Sequence, residues 1–169
     1  MSLNISTIEF IIIKFDCKYL QIMENKIKIS SIVLAKNEED NIFNCIQSQL
    51  DCVDDIFILV DEASTDKTLE IVKSFPSVRF EIIKWEGFSA TKQKALQKTK
   101  YDWVLWIDAD EVIRPELVEE INALKKTGME YDSYSVARRA YFLGRWIKHS
   151  GWYPARVNRL FNKTKIKFA

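Results

Sequence analysis

Residues 103–111 read Trp103-Val104-Leu105-Trp106-Ile107-Asp108-Ala109-Asp110-Glu111. An apolar run that turns abruptly acidic describes a strand buried on both faces whose last residues emerge at a sheet edge. The same pattern recurs on either side. Ile29-Ser30-Ser31-Ile32-Val33-Leu34-Ala35 runs into Lys36-Asn37-Glu38-Glu39, and Ile56 to Val60 runs into Asp61-Glu62. Val78 to Ile83 is a further strand. Helical spacing fills the gaps: Ile42, Cys45, Ile46 and Leu50 behind a cap at Asn37, and Leu69, Val72 and Phe75 behind Ser64-Thr65-Asp66. Ala90 to Thr99 is a third helix. Leu117, Val118, Ile121 and Leu124 follow Pro115, which suits a first helical position. Alternating strands and helices predict an α/β chain with a mainly parallel sheet and helices on both faces. Ligands of such sheets bind at the carboxyl ends of the strands, where the acidic clusters fall. After Lys126 the alternation stops, and Ser133 to Ala140 and Ala155 to Phe161 read as strands around a loop rich in Trp, Arg and Gly.

The chain has 169 residues, 47% hydrophobic and 29% charged, which excludes disorder as its main state. Four Gly and three Pro exclude collagen-like and low-complexity classes. No apolar run approaches the roughly 20 residues of a membrane span. Cys17, Cys45 and Cys52 form no C-x-x-C pair, so free thiols in a reducing cytoplasm are expected. The net charge of +1 conceals a split: nine Lys or Arg and no carboxylate follow Asp132. The C-terminal part is therefore expected to face something anionic.

The acidic strand ends carry the candidate chemistry. In an extended segment residues i and i+2 point to one side, so Asp108 and Asp110 are placed to share one hard cation, Mg²⁺ or Mn²⁺; the alternative is a solvated turn before Pro115. Asp61 is either a turn residue or the acidic group that holds a nucleotide's ribose or base in doubly wound folds. Glycine-rich phosphate loops are missing from the sequence, so metal and basic side chains must hold any phosphate. Lys92 is a candidate, or a solvated helix lysine.

Three segments in order resemble glycosyltransferase family 2: Ile32 to Glu39 its opening strand and N-E-E turn, Val60 to Thr68 its D-x-x-S-T-D-x-T segment, and Trp103 to Glu111 its W-x-L-x-x-D-A-D-E segment. Arg138 to Phe161 is similar to one bacterial branch that transfers glucose or a related sugar to the lipopolysaccharide inner core. The resemblance implies a GT-A (Rossmann-like) fold and a nucleotide-diphospho-sugar donor, a UDP-sugar, used with inversion. It implies donor contacts from Ala35, Lys36, Glu38, Asp61, Lys92 (in Thr91-Lys92-Gln93), Asp108 near the ribose, and Ala109. Asp110, with Asp108, would hold Mg²⁺ or Mn²⁺. The implied acceptor is a glycolipid or oligosaccharide, reached from the cytoplasm with peripheral contact at the inner face of the membrane. The implied catalytic base lies in a His-Glu segment shortly after Arg159-Leu160-Phe161, beyond Ala169. The C-terminal part is accordingly expected to be incomplete, as in a truncated gene product that binds donor and transfers it slowly.

Arg138, Trp146, His149 and Trp152 are the acceptor-side candidates, with packing and solvation as the alternative for each. A catalytically incomplete nucleotide-sugar-binding module is the second functional expectation. A basic, aromatic nucleic-acid binder ranks last, and no nucleic-acid partner is expected. Residues 1–26 read as a peripheral extension without core periodicity, and residues 27–169 as the catalytic domain. Its nucleotide-sugar half spans 27–127 and the start of the acceptor-side region 128–169. Deletion of Met1 to Ile22 is expected to leave the melting temperature nearly unchanged; a drop of more than about 10 °C in calorimetry would place the segment in the core.

Overall fold

The computed structural model describes residues 27–139, 141–142, 145–146 and 155–166. The elements follow as β1 (Ile29–Ala35), α1 (Ile42–Gln47), β2 (Asp55–Asp61), α2 (Thr68–Lys73), β3 (Val78–Ile83), α3 (Phe88–Lys98), β4 (Trp103–Asp108), α4 (Pro115–Thr127), β5 (Ser133–Arg138), β6 (Tyr141–Phe142), β7 (Arg145–Trp146) and β8 (Ala155–Asn162). Residues 1–26, and with them the expected extension and Cys17, lie outside the described residues.

Six strands form one sheet in the order β3-β2-β1-β4-β8-β5, and β6 pairs with β7 in a ribbon of two. The ladders among β3, β2, β1 and β4 are parallel, while β8 runs antiparallel to both β4 and β5. Parallel neighbours in this order bring the ends of β1, β2 and β4 to one edge. The register sets Leu34 of β1 beside Asp108 of β4, and Ala35 beside Val60 of β2.

Strand residues alternate cleanly between two cores. Ile29, Val33, Ile56, Ile58, Val60, Leu105, Ile107 and Leu160 pack with Ile42, Cys45 and Ile46 of α1, Val72 of α2 and Ile121 of α4. Ile32, Phe57, Leu59, Val104, Trp106 and Phe161 pack on the other face with Ala95 and Leu96 of α3. Each fully buried aliphatic side chain contributes roughly 1.5–3 kcal/mol, so β1 and β2 anchor both layers. By the same alternation Asp61 and Asp108, at the ends of β2 and β4, belong to the α3 face.

Two expectations, for Asn37 and Leu50, are corrected in detail. Asn37 does not cap α1. It has φ of 52°, and Asn41 is the capping residue. Leu50 lies past the end of α1 and is 37% exposed rather than buried. Lys125 lies among the apolar stripe of α4 and is buried, because it makes an ion pair to Asp54 at 2.7 Å and donates to the Cys52 carbonyl at 3.1 Å. Cys45 and Cys52 are free, as expected, and buried. No helix among the described residues is long and apolar enough to cross a membrane.

The amino-terminal edge of the sheet is fastened by Asp55, which is buried at the start of β2. Its carboxylate accepts two bonds from Arg79 at 2.7 and 2.8 Å, one from the Ser30 hydroxyl at 2.9 Å and one from the Lys100 N–H at 3.3 Å. Burial pushes its pKa up, but the Arg79, Ser30 and Lys100 bonds outweigh burial and hold it below the ordinary 3.8. A depressed carboxylate stabilises the fold at pH values above its unfolded pKa, and that contribution fades as pH falls through the folded value. Asp55→Asn is expected to cost roughly 2 kcal/mol in urea unfolding at pH 7. Below pH 3.8 the gap to wild type should narrow; a constant gap down to pH 2 would exclude the charge as its source.

Candidate functional site

The loops after β1 and β2 are stitched together by reciprocal bonds. The Asn37 side-chain carbonyl accepts from the Thr65 N–H at 2.8 Å, and the Asn37 N–H donates to the Ser64 hydroxyl at 3.3 Å. The Glu39 N–H donates to Asp66 at 2.9 Å, and the Glu39 carboxylate accepts from the Lys67 N–H at 2.9 Å. Thr68 completes the seam. Its hydroxyl accepts from the Glu38 N–H at 2.7 Å and donates to Asp66 at 2.6 Å. The positive φ of Asn37 suits this turn, since Asn is among the few side chains that tolerate the left-handed region.

Above the seam opens a cleft of about 230 Å³ lined by Leu34, Ala35, Lys36, Glu38, Leu59, Asp61, Ile83 and Trp85. It gathers four of the candidate donor residues, Ala35, Lys36, Glu38 and Asp61. Asp61 is the buried charge at its floor. One carboxylate oxygen accepts from the Ala63 N–H at 3.0 Å. The other lies 3.1 Å from the Lys36 ammonium yet accepts no well-aligned hydrogen bond. The Ala63 bond lowers the Asp61 pKa, burial opposes it, and Lys36 adds to the lowering, so the group is an anion at neutral pH. Apolar walls around an under-satisfied carboxylate suit a planar, partly apolar molecule that brings an N–H donor. Ile83 and Trp85 were not foreseen. Their signal was position, since Ile83 ends β3 and Trp85 lies two residues beyond it, at the carboxyl end of the strand.

Asp108 and Asp110 are placed differently from the extended pair that their spacing suggests. β4 ends at Asp108, and the Glu111 N–H bonds back to the Asp108 carbonyl at 2.9 Å, so Ala109 and Asp110 occupy a turn. Ala109 is buried and Asp110 exposed. One Arg159 nitrogen donates to Asp108 at 2.6 Å and to Glu111 at 2.5 Å, and the other Glu111 oxygen accepts from the Asp108 N–H at 3.1 Å. Burial works against the Arg159 charge, but the bond to Asp108 and the charge of Glu111 outweigh it, so its pKa lies above the ordinary value. Beneath the turn, burial first and the Glu111 charge second push the Cys45 thiol up to about 12, which leaves it inert. Among the described residues no three His, Cys, Asp or Glu side chains are arranged to hold a metal ion by themselves. The hard oxygens of the turn suit Mg²⁺ or Mn²⁺, provided that a bound molecule supplies further oxygens.

Asp61 and Asp108 flank the end of β1, one strand to either side, a span of about 10 Å from two strand spacings. Lys92 reaches the same face from α3, its ammonium 4.5 Å from the centre of the Trp106 ring. Arg138 is exposed at the end of β5. Trp146 falls in β7, but its side chain, like His149 and Trp152, lies outside the described residues. Arg159 was foreseen only as part of a sequence pattern. Its signal was the basic C-terminal part, and for Arg159 and Lys165 the anions they meet are this chain's own Asp108, Glu111 and Asp132.

The chain belongs to glycosyl transferase family 2, whose model matches residues 30–168. It is similar to the lipopolysaccharide core biosynthesis glycosyltransferase LpsC of Rhizobium meliloti (strain 1021), at 33% identity over 84% of this chain and 52% of that protein. An uncharacterized glycosyltransferase of Rickettsia typhi, RT0209, is 39% identical over 84% of this chain and 49% of its own length. The chain thus spans about half the length of these curated relatives. Among solved structures it resembles S. aureus TarS 1-349, with a TM-score of 0.59 at 20% identity over 82% of this chain and 48% of the other. It also resembles glucosyl-3-phosphoglycerate synthase from Mycobacterium tuberculosis in complex with Mn²⁺, UDP and phosphoglyceric acid. There the TM-score is 0.52 at 25% identity, over 66% of this chain and 45% of that one. These neighbours share the GT-A fold, as the sequence resemblance implied.

Thr68→Val keeps the buried shape but removes both hydroxyl bonds of the central seam residue. It is expected to cost about 1–3 kcal/mol and to weaken nucleotide binding in calorimetry, because the Glu38 backbone at the cleft loses its tether. Wild-type affinity in the variant would show that the seam does not position the cleft.

Proposed function

We propose that the chain binds a UDP-sugar at the carboxyl edge of β1, β2 and β4. The whole protein would transfer the sugar, with inversion, to a glycolipid of the bacterial lipopolysaccharide core. The observation that carries this reading is Asp61, a buried anion that lines a cleft with apolar walls beside Lys36 and has one oxygen that accepts no well-aligned hydrogen bond. The uracil imide N–H is a donor of the required kind, and Lys36 and Glu38 sit where a ribose would follow. Asp108, claimed by Arg159, would border the ribose instead of ligating metal. Asp110 would hold the cation, with diphosphate oxygens and water completing the shell, as Mg²⁺ and Mn²⁺ sites commonly do. When bound, the dication supplies stabilisation of the charge that develops on the departing nucleoside diphosphate. Lys92 offers a second positive charge on the same face. Support for donor and metal comes from the synthase neighbour with Mn²⁺ and UDP, and for the acceptor from the name of the LpsC relative. A lipid-linked acceptor would set the protein at the cytoplasmic face of the inner membrane.

In the inverting step the acceptor oxygen bonds to the anomeric carbon as the bond to phosphate breaks, and the acceptor proton passes to a general base. Arg138 and the segment around Trp146, His149 and Trp152 are proposed to meet the acceptor. Asp110→Ala, at an exposed turn, is expected to leave the melting temperature within about 2 °C of wild type, as surface substitutions usually do. In calorimetry the same variant should lose Mn²⁺-dependent binding of a UDP-sugar. Unchanged metal-dependent binding would remove Asp110 from the site.

A further inference from the structure

The acidic turn carries three carboxylates, Asp108, Asp110 and Glu111, within four positions. Left alone, such a triple would draw a dication without any nucleotide, since affinity for hard cations rises with the number of charged oxygen ligands. Arg159 instead holds one oxygen each of Asp108 and Glu111. Its side chain is 12% exposed, while that of Asp108 is 48% exposed, so the guanidinium lies under the turn and the carboxylates lie over it. The backbone fixes it there. The ladder between β8 and β4 reaches only to Leu105 and Leu160, whereas β8 continues beside β5 to Ala155. Arg159 is thus the first β8 residue beyond the β4 ladder, and its side chain bridges to the end of β4. A guanidinium keeps its charge at any physiological pH and, once buried, cannot leave its anions without a large cost.

We infer that Arg159 is a positioning residue that occupies Asp108 and Glu111, so that the divalent cation enters with the donor's diphosphate rather than ahead of it. This rests on the proposed donor site. With one oxygen each of Asp108 and Glu111 committed to Arg159, Asp110 is the carboxylate of the turn that Arg159 does not engage, and it holds Mg²⁺ or Mn²⁺ weakly until phosphate oxygens join it. The same cation keeps the turn from repelling the diphosphate.

The test is Mn²⁺ binding to the full chain, read from the loss of the free-ion electron paramagnetic resonance signal, with and without UDP. Wild type should bind Mn²⁺ weakly alone and at least about tenfold more tightly with UDP, a coupling of ordinary size. Arg159→Gln should bind Mn²⁺ alone about tenfold more tightly than wild type, because Asp108 and Glu111 are freed as ligands. The UDP enhancement should shrink accordingly, and Arg159→Lys should restore the wild-type pattern. A merely structural role predicts the opposite, weaker metal binding in a loosened turn. If Arg159→Gln does not fold, Arg159→Gln with Glu111→Gln removes the cation and one of its anions together, and Asp108 should still raise the affinity for Mn²⁺ alone. Folded variants with equal or weaker Mn²⁺ affinity overturn the inference and leave the donor site standing. Failure of wild type to bind Mn²⁺ with UDP overturns both.

Discussion

β1, β2 and β4 are covered on both faces, and this constraint governs everything else in the molecule. A strand with helices on each side has no exposed face on which to carry charge, so ionisable groups collect at its ends. Asp55 sits at one end of β2 and Asp61 at the other, both buried, with aliphatic and aromatic residues between them. The two carboxylates differ in their partners. Asp55 is saturated by Arg79, Ser30 and Lys100, and it fastens the sheet. Asp61 retains an oxygen without a well-aligned donor. Because β1, β2 and β4 are parallel, their carboxyl ends share one edge, and the candidate site lies there.

At that edge most of the polar residues are scaffolding. In the stretch from Asp61 to Thr68, the side chains of Ser64, Asp66 and Thr68 and the backbone of Thr65 and Lys67 bond to the loop after β1 or to one another. Asp61 alone of these residues lines the cleft. The division has a physical reason. A cleft between two loops holds its shape only if the loops cannot drift apart, and reciprocal side-chain-to-backbone bonds fix both partners at once. The polar richness of such a segment therefore reports rigidity more than contact with ligand.

The strands, the helices and the edge that carries the site were legible in the sequence because each depends on local periodicity. Pro115 opens α4 and Asp61 ends β2 as their positions suggest. What local periodicity did not show is where the strand stops and which partners lie far away along the chain. Asn37 looks like a helix cap when only its neighbours are considered, yet its bonds go to Ser64 and Thr65, 27 and 28 residues on. Asp108 and Asp110 look like a matched pair until the strand is seen to stop at Asp108. Lys125 violates an apolar stripe that only Asp54 and the Cys52 carbonyl explain. Pairings of this kind are decided by strand order, which periodicity does not contain.

Strand order also unites the two halves into which the sequence divides. β8, from the stretch after residue 127, is inserted between β4 and β5 within the same sheet. Leu160 enters the core shared with α1, α2 and α4, and Phe161 enters the core beneath α3, so one strand closes both layers. The next residue back along β8, Arg159, meets the acidic turn. Apolar packing thus sets where β8 lies, and that placement delivers a largely buried cation to Asp108 and Glu111. The acidic turn after β4 gains its Arg159 partner only when the later strand is docked, so the electrostatics of that edge and its folding are coupled through Arg159.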